Sequence, residues 1–207
     1  MATLESLQEA VETGNRDDAV QLTQQAIDDE LPARDILDAM VSAMDDIGGR
    51  FQRGEAFVPE MLLAARAMKE AMALLEPILV AAGITPEAKA IIGTVQGDLH
   101  DIGKNLVAMM WKGANFEVID LGTNVTPDKF VDAVKENDAT LVGLSALLTT
   151  TMPAMQSTVE ALRAANVDQM RVIVGGAPVT QEYADQIGAD AYAPDAASAV
   201  EVARRFI

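Results

Sequence analysis

The chain has no cysteine and a single histidine among its 207 residues. The first absence excludes disulfides, iron–sulfur clusters and Cys-ligated zinc. The second means that any metal chemistry carried by imidazole rests on His100 alone. Cationic side chains are also scarce: 15 Lys and Arg stand against 32 Asp and Glu, for a formal net charge of −17. That balance argues against nucleic acid and anionic membranes as partners, because both are bound by clustered positive charge, while docking to less acidic proteins stays open. No apolar run approaches the ~20 residues of a membrane-spanning helix. The opening Met1-Ala2-Thr3-Leu4-Glu5 has neither the basic nor the apolar segment of a secretory signal. The expectation is a cytoplasmic protein whose 50% hydrophobic content fills one large core or two modest ones.

The patterning changes character at Ala81-Ala82-Gly83-Ile84-Thr85-Pro86. Before it, apolar residues recur at helical spacing in four stripes: Leu4, Leu7, Val11; Ala19, Leu22, Ala26; Ile36, Leu37, Met40, Val41, Met44, Ile47; and Met61, Leu62, Ala65, Met68, Met72, Leu75. Gly14-Asn15 and Leu31-Pro32 end the first two, Gly48-Gly49 weakens the end of the third, and Pro32 and Pro59 sit at helix starts, where a missing N–H costs nothing. Residues 1–83 thus read as a small antiparallel four-helix bundle, with the methionine stripe as its core or, alternatively, a ligand surface. After Pro86, short apolar runs alternate with helical patterns. The runs are Ala90–Val95, Phe116–Leu121, Thr140–Ser145, Arg171–Gly175 and Ala189–Tyr192; the helices lie near 102–114, 127–137, 152–166, 180–187 and from about 195. Continuously apolar strands separated by helices indicate a parallel sheet covered on both faces. The expectation for 88–207 is an α/β domain with the flavodoxin-like (Rossmann-like) winding, strand order 2-1-3-4-5, and a ligand seat beyond the carboxyl ends of the strands.

Those ends carry unusual residues. The first strand delivers Gly97-Asp98-Leu99-His100-Asp101-Ile102-Gly103, the third delivers Ser145-Ala146-Leu147-Leu148-Thr149-Thr150-Thr151, and the fourth delivers Gly175-Gly176-Ala177-Pro178. A carboxylate two residues from an imidazole fixes the tautomer of that imidazole and raises its basicity for metal binding. The local alternatives are that Asp98 or Asp101 caps the following helix, and that Thr150 or Thr151 caps the one beginning at Met152-Pro153. Small and hydroxyl-bearing loops on one rim let an extended ligand approach the backbone while offering it hydrogen bonds.

Asp98-x-His100-x-x-Gly103, followed by Ser145-x-Leu147 and Gly175-Gly176, resembles the signature of corrinoid proteins that bind cobalamin with histidine as the lower ligand. Gly54-Glu55-Ala56-Phe57-Val58-Pro59-Glu60-Met61-Leu62 is similar to the cap module of methionine synthase and of methyltransferase corrinoid subunits. Length and layout look closest to the free-standing corrinoid proteins of methylamine, glycine-betaine or aryl methyl ether demethylation. The resemblance implies that His100 replaces the dimethylbenzimidazole as lower axial ligand to cobalt, that Asp98 holds its Nδ1 proton, and that Thr151 extends this relay where methionine synthase carries a serine. It implies that Gln96, Gly97, Asp98, Leu99, His100, Asp101, Ile102 and Gly103 form the cofactor-binding loop. Ser145, Leu147, Thr149, Gly175, Gly176, Ala177 and Tyr192 would line the slot for the displaced nucleotide tail, and Phe57 with Met61 would cover the methyl-bearing face.

The same resemblance implies a methyl carrier using cobalamin as methylcobalamin, cob(I)alamin or cob(II)alamin. Its partners would be a substrate methyltransferase, a second methyltransferase serving tetrahydrofolate or a thiol, and a reductive activase. The apolar helical module would act as a lid, with 81–86 as hinge. Three other readings stay open: a cobalamin-dependent sensor or regulator, which usually carries a DNA-binding domain; an adenosylcobalamin mutase subunit, which generally lacks the helical segment; and a flavodoxin-like module without metal.

Overall fold

A computed structural model describes residues 2–167 and 169–207. The chain divides into two compact units, Met1–Pro86 with Gly113–Asn115, and Glu87–Lys112 with Phe116–Ile207.

The first unit holds α1 (Ala2–Glu12), α2 (Arg16–Asp28), α3 (Ala33–Gln52) and α4 (Val58–Ala81), with α1 against α3, α2 against α4, and α3 against α4. Most of the four stripes forms its core: Leu7, Val11, Ala19, Ala26, Ile36, Leu37, Met40, Met44, Ile47, Met61, Met68 and Leu75 are buried, whereas Leu62 is exposed and Leu4, Leu22, Val41, Ala65 and Met72 are half-buried. Gly48-Gly49 does not end α3, which runs on through both glycines to Gln52, because Ile47 stays anchored in the core. The α2 start is set by Asn15, whose side chain accepts from the Asp18 N–H, and the α4 start by Glu60, whose carboxylate accepts the Phe57 N–H at 2.9 Å.

The second unit is a five-stranded sheet in the order β2-β1-β3-β4-β5. Its strands are β1 (Ala88–Thr94), β2 (Phe116–Asp120), β3 (Leu141–Ser145), β4 (Arg171–Gly175) and β5 (Ala191–Tyr192), and every pairing is parallel. The connections carry α5 (Ile102–Gly113), α6 (Pro127–Asn137), α7 (Met152–Ala164) and α8 (Gln181–Ile187), and α9 (Ala196–Arg204) ends the unit. Ile91, Val142, Val172 and Val174 bury one face of the sheet against Phe130 and Val134 of α6 and Met155 and Val159 of α7. On the other face the Trp111 ring of α5 lies against Gly143, and its indole N–H donates to the Ala199 carbonyl of α9 at 3.1 Å.

The register sets the rim. Thr94 pairs with Ser145, and Ser145 pairs with Gly175, so three strands end in one row. Each then releases one of the loops singled out from the sequence.

Candidate functional site

The loop between β1 and α5 turns on Gly97, whose φ of +85° is the left-handed conformation that glycine adopts without strain. The turn carries Asp98 into the protein and His100 out of it. Asp98 is fully buried. Its Oδ1 accepts the His100 backbone N–H at 3.1 Å and faces the His100 Nδ1 at 2.7 Å. Its Oδ2 accepts the Leu147 N–H at 2.8 Å, the Leu148 N–H at 3.3 Å and the Thr151 hydroxyl at 2.8 Å. Asp98 therefore caps no helix; its carboxylate bridges the first and third strand ends. Thr151, at the head of α7, makes no side-chain capping bond there either.

These contacts decide the charges. Burial pushes the Asp98 carboxyl up, but the hydrogen bonds from the Leu147 and His100 backbones, the His100 ring and the Thr151 hydroxyl more than reverse this and hold it well below the usual carboxylate range. An ionised Asp98 can only accept, so the His100 Nδ1 carries a proton and Nε2 is the ring nitrogen left facing outward. Nε2 has no hydrogen-bond partner among the described residues, and the side chain is 51% exposed. Leu99 (72%) and Ile102 (80%) stand out beside it, with the half-exposed Leu147 and Leu148 from the β3 loop.

Further residues hold the loop from outside the motif. The Thr94 hydroxyl, fully buried, donates to the His100 carbonyl at 2.9 Å. Asn124 donates its backbone N–H to the Asp98 carbonyl at 2.9 Å, and its Oδ1 accepts the Gly97 N–H at 2.8 Å. Lys104, buried in the first turn of α5, pairs with Asp120 at the end of β2 at 2.5 Å. Neither Asn124 nor Lys104 stands out in the sequence; the only signal is Asn124 in a Gly122-Thr123-Asn124 turn, where asparagine tolerates a positive φ.

The other expected site residues lie as follows. Gln96 is exposed on the same loop and Gly103 in the first turn of α5, and Asp101 accepts both the backbone and side-chain N–H groups of Asn105 at the head of that helix. Ser145, Gly175 and Tyr192 are half-buried at the strand ends, and Thr149 and Ala177 are exposed. Gly176, at φ +124°, has its own packing reason: a Cβ there would lie 1.9 Å from the Ala146 carbonyl oxygen. In the helical unit Phe57 is 63% exposed just before α4, while Met61 is buried in the core. Of the two, only Phe57 offers its side chain to a ligand.

Comparison with known proteins matches residues 88–202 to a B12 binding domain model and residues 3–76 to a second B12 binding domain model. The chain belongs to the B12-binding protein family. It is 39% identical to a corrinoid protein of Desulfitobacterium hafniense strain Y51 over 100% of this chain and 98% of that protein. It is 37% identical to the dimethylamine corrinoid protein of Methanosarcina barkeri over 99% of this chain and 97% of that protein. Among solved structures it resembles a cobalamin-binding protein from D. hafniense DCB-2, with TM-score 0.81, 32% identity, and 99% and 98% of the two chains covered. It also resembles the methanol:cobalamin methyltransferase complex MtaBC of M. barkeri, with TM-score 0.86, 27% identity, 99% of this chain and 79% of that chain.

The cofactor of this B12-binding protein is cobalamin, and the donor set at the rim fits it. Among the described residues no group of three or more His, Cys, Asp or Glu side chains is placed to hold a metal ion. A bare ion needs three or four protein ligands. One imidazole with an open Nε2 suffices only for a metal that brings its equatorial ligands with it, as a corrin does, and the apolar side chains beside His100 suit the flat face of such a ring.

Proposed function

We propose that this B12-binding protein is a methyl carrier that holds cobalamin base-off, with the His100 Nε2 as the lower axial ligand. The observation that carries the reading is the pairing of a fully buried, ionised Asp98 with the His100 Nδ1 at 2.7 Å while Nε2 stays open. When bound, cobalamin supplies a cobalt that takes up a methyl group and hands it on; the protein tunes the axial ligand and excludes water. Asp98 fixes the imidazole tautomer and its orientation. Thr151 and the Leu147 and Leu148 N–H groups hold Asp98 in turn, completing the relay. Gln96–Gly103 supply the loop against the lower face. Ser145, Leu147, Thr149, Gly175, Gly176, Ala177 and Tyr192 line the slot for the displaced nucleotide tail.

The carrier works between a substrate-specific methyltransferase and a second methyltransferase serving tetrahydrofolate or a thiol, with a reductive activase restoring the active cobalt state. Support comes from the methyltransferase complex among the structural neighbours and from near-complete coverage of relatives that bear the corrinoid name. Relatives named for dimethylamine make methylated amines the first donor class to try.

The test is reconstitution of the full chain and its His100→Ala variant with hydroxocobalamin. The wild type is expected to take up the cofactor with a visible spectrum distinct from free cobalamin, and the variant to lose that spectral shift. Identical spectra for the two proteins would remove His100 from the cobalt.

A further inference from the structure

We infer that Asn124 is a positioning residue for the cobalt ligand, acting through the backbone of the His100 loop. The inference rests on the reading of His100 as that ligand. Asn124 lies between β2 and α6, remote in sequence from the Asp98-x-His100 motif, at a φ of 54°. Its neighbours extend the sheet in the ordinary way: the Thr94 N–H donates to the Gly122 carbonyl at 2.9 Å, and the Val125 N–H donates to the Thr94 carbonyl at 3.0 Å. Such backbone bonds are open to almost any residue. Asn124 adds a clasp that is not. Its backbone N–H donates to the Asp98 carbonyl at 2.9 Å, and its side-chain Oδ1 accepts the Gly97 N–H at 2.8 Å.

Those two bonds pin the peptides on either side of the Gly97–Asp98 pair. Between them lie the φ and ψ of Gly97 and of Asp98, the torsions that aim the Asp98 carboxylate and, through it, the imidazole. Gly97 has the greatest freedom of any residue in the loop, and an unpinned glycine spreads over both signs of φ. The side chain at 124 must therefore be short, must accept a hydrogen bond and must tolerate the left-handed region, which asparagine and aspartate do. Neither the family signature nor the Asp98–His100–Thr151 relay includes it.

The test uses the full chain as Asn124→Gly and Asn124→Asp, each saturated with hydroxocobalamin and reduced to the cobalt(II) form. Electron paramagnetic resonance then reads the fraction of cobalt carrying a protein nitrogen. Glycine accommodates the φ of 54° and keeps the N–H that donates to the Asp98 carbonyl, while the side chain with its Oδ1 is removed. Asn124→Gly is expected to lower the ratio of histidine-bound to histidine-free cobalt by about two- to tenfold, the worth of one hydrogen bond, and to weaken cobalamin binding alongside. Asn124→Asp, which keeps an acceptor, is expected to restore both. A merely structural side chain would lower the melting temperature yet leave the histidine-bound fraction at saturation complete, and that result overturns the inference while sparing the assignment of His100. A wild-type spectrum with no histidine nitrogen would overturn both.

Discussion

Two aspartates at opposite rims of one sheet, one fully buried and one partly buried, show how the same charged group can be used in two ways. Asp190, at the amino rim, accepts Arg163 at 2.6 Å, Arg171 at 3.2 Å and the Val172 N–H at 2.6 Å. Burial pushes its carboxyl up, and these partners bring it below its ordinary range. Two guanidinium groups consume its charge, so Asp190 fastens β5 and α7 to β4 and has nothing left for a ligand. Asp98, at the carboxyl rim, is also held below its ordinary range, but no lysine or arginine among the described residues pairs with it: backbone N–H groups, a hydroxyl and one imidazole hold it. Neutral dipoles stabilise a carboxylate without cancelling its field, and the imidazole feels what remains.

Asp98→Asn should break this contrast most severely. It leaves the Leu147, Leu148 and Thr151 donors facing an uncharged amide, costs about 3 kcal/mol of stability, and abolishes the histidine-bound cobalamin spectrum, all read by denaturant melts and absorption. The acid limb of stability tests both carboxylates together. Each has its folded value below the unfolded one of about 3.9, so its contribution is fully present above that pH and is lost as pH falls through the folded value. Melting temperature should thus hold from neutrality to about pH 5 and drop below about pH 4, and the drop should be shallower in Asp98→Asn and Asp190→Asn than in the wild type. Asp190→Asn alone is expected to cost about 1 kcal/mol and leave the cobalamin spectrum unchanged. The smallest effects belong to Thr151: Thr151→Val should cost about 1 kcal/mol with a partial loss of histidine-bound cobalt, and Thr151→Ser should fall within about 0.5 kcal/mol of wild type by the same melts.

Much of this was legible from residue order. The apolar runs expected at Phe116–Leu121 and Arg171–Gly175 are β2 and β4 to within a residue; Val172, Ile173 and Val174 of β4 are buried, whereas β2, at the sheet edge, buries Phe116 and exposes Glu117 and Asp120. The last strand is shorter than its run, two residues in place of Ala189–Tyr192, since Asp190 is drawn into the arginine cluster. The motif loop was visible because Asp98-x-His100 is contiguous. Its supports were visible only in part: the resemblance names Thr151 and Leu147, but neither Thr94 nor Asn124. Thr151 closes a 3₁₀ turn, Thr149–Thr151, that points one hydroxyl of the loop at Asp98 and leaves Thr149 exposed. Asn124 reaches Gly97 from another loop, and no periodicity records which loop side chains meet in space. Phe57 and Met61 were expected as a pair, but Phe57 precedes α4 and Met61 falls on its apolar stripe, so one is exposed and the other is core.

Because the chain holds one histidine, labelling the protein with nitrogen-15 histidine alone marks His100 and nothing else. Loaded with unlabelled cobalamin, reduced to cobalt(II) and examined by electron paramagnetic resonance, the natural-abundance protein should show each cobalt line split in three by an axial nitrogen-14. The labelled protein should show the same lines split in two. A three-fold splitting that survives the label would mean that the cofactor's own base still holds the cobalt, and would contradict the assignment of His100.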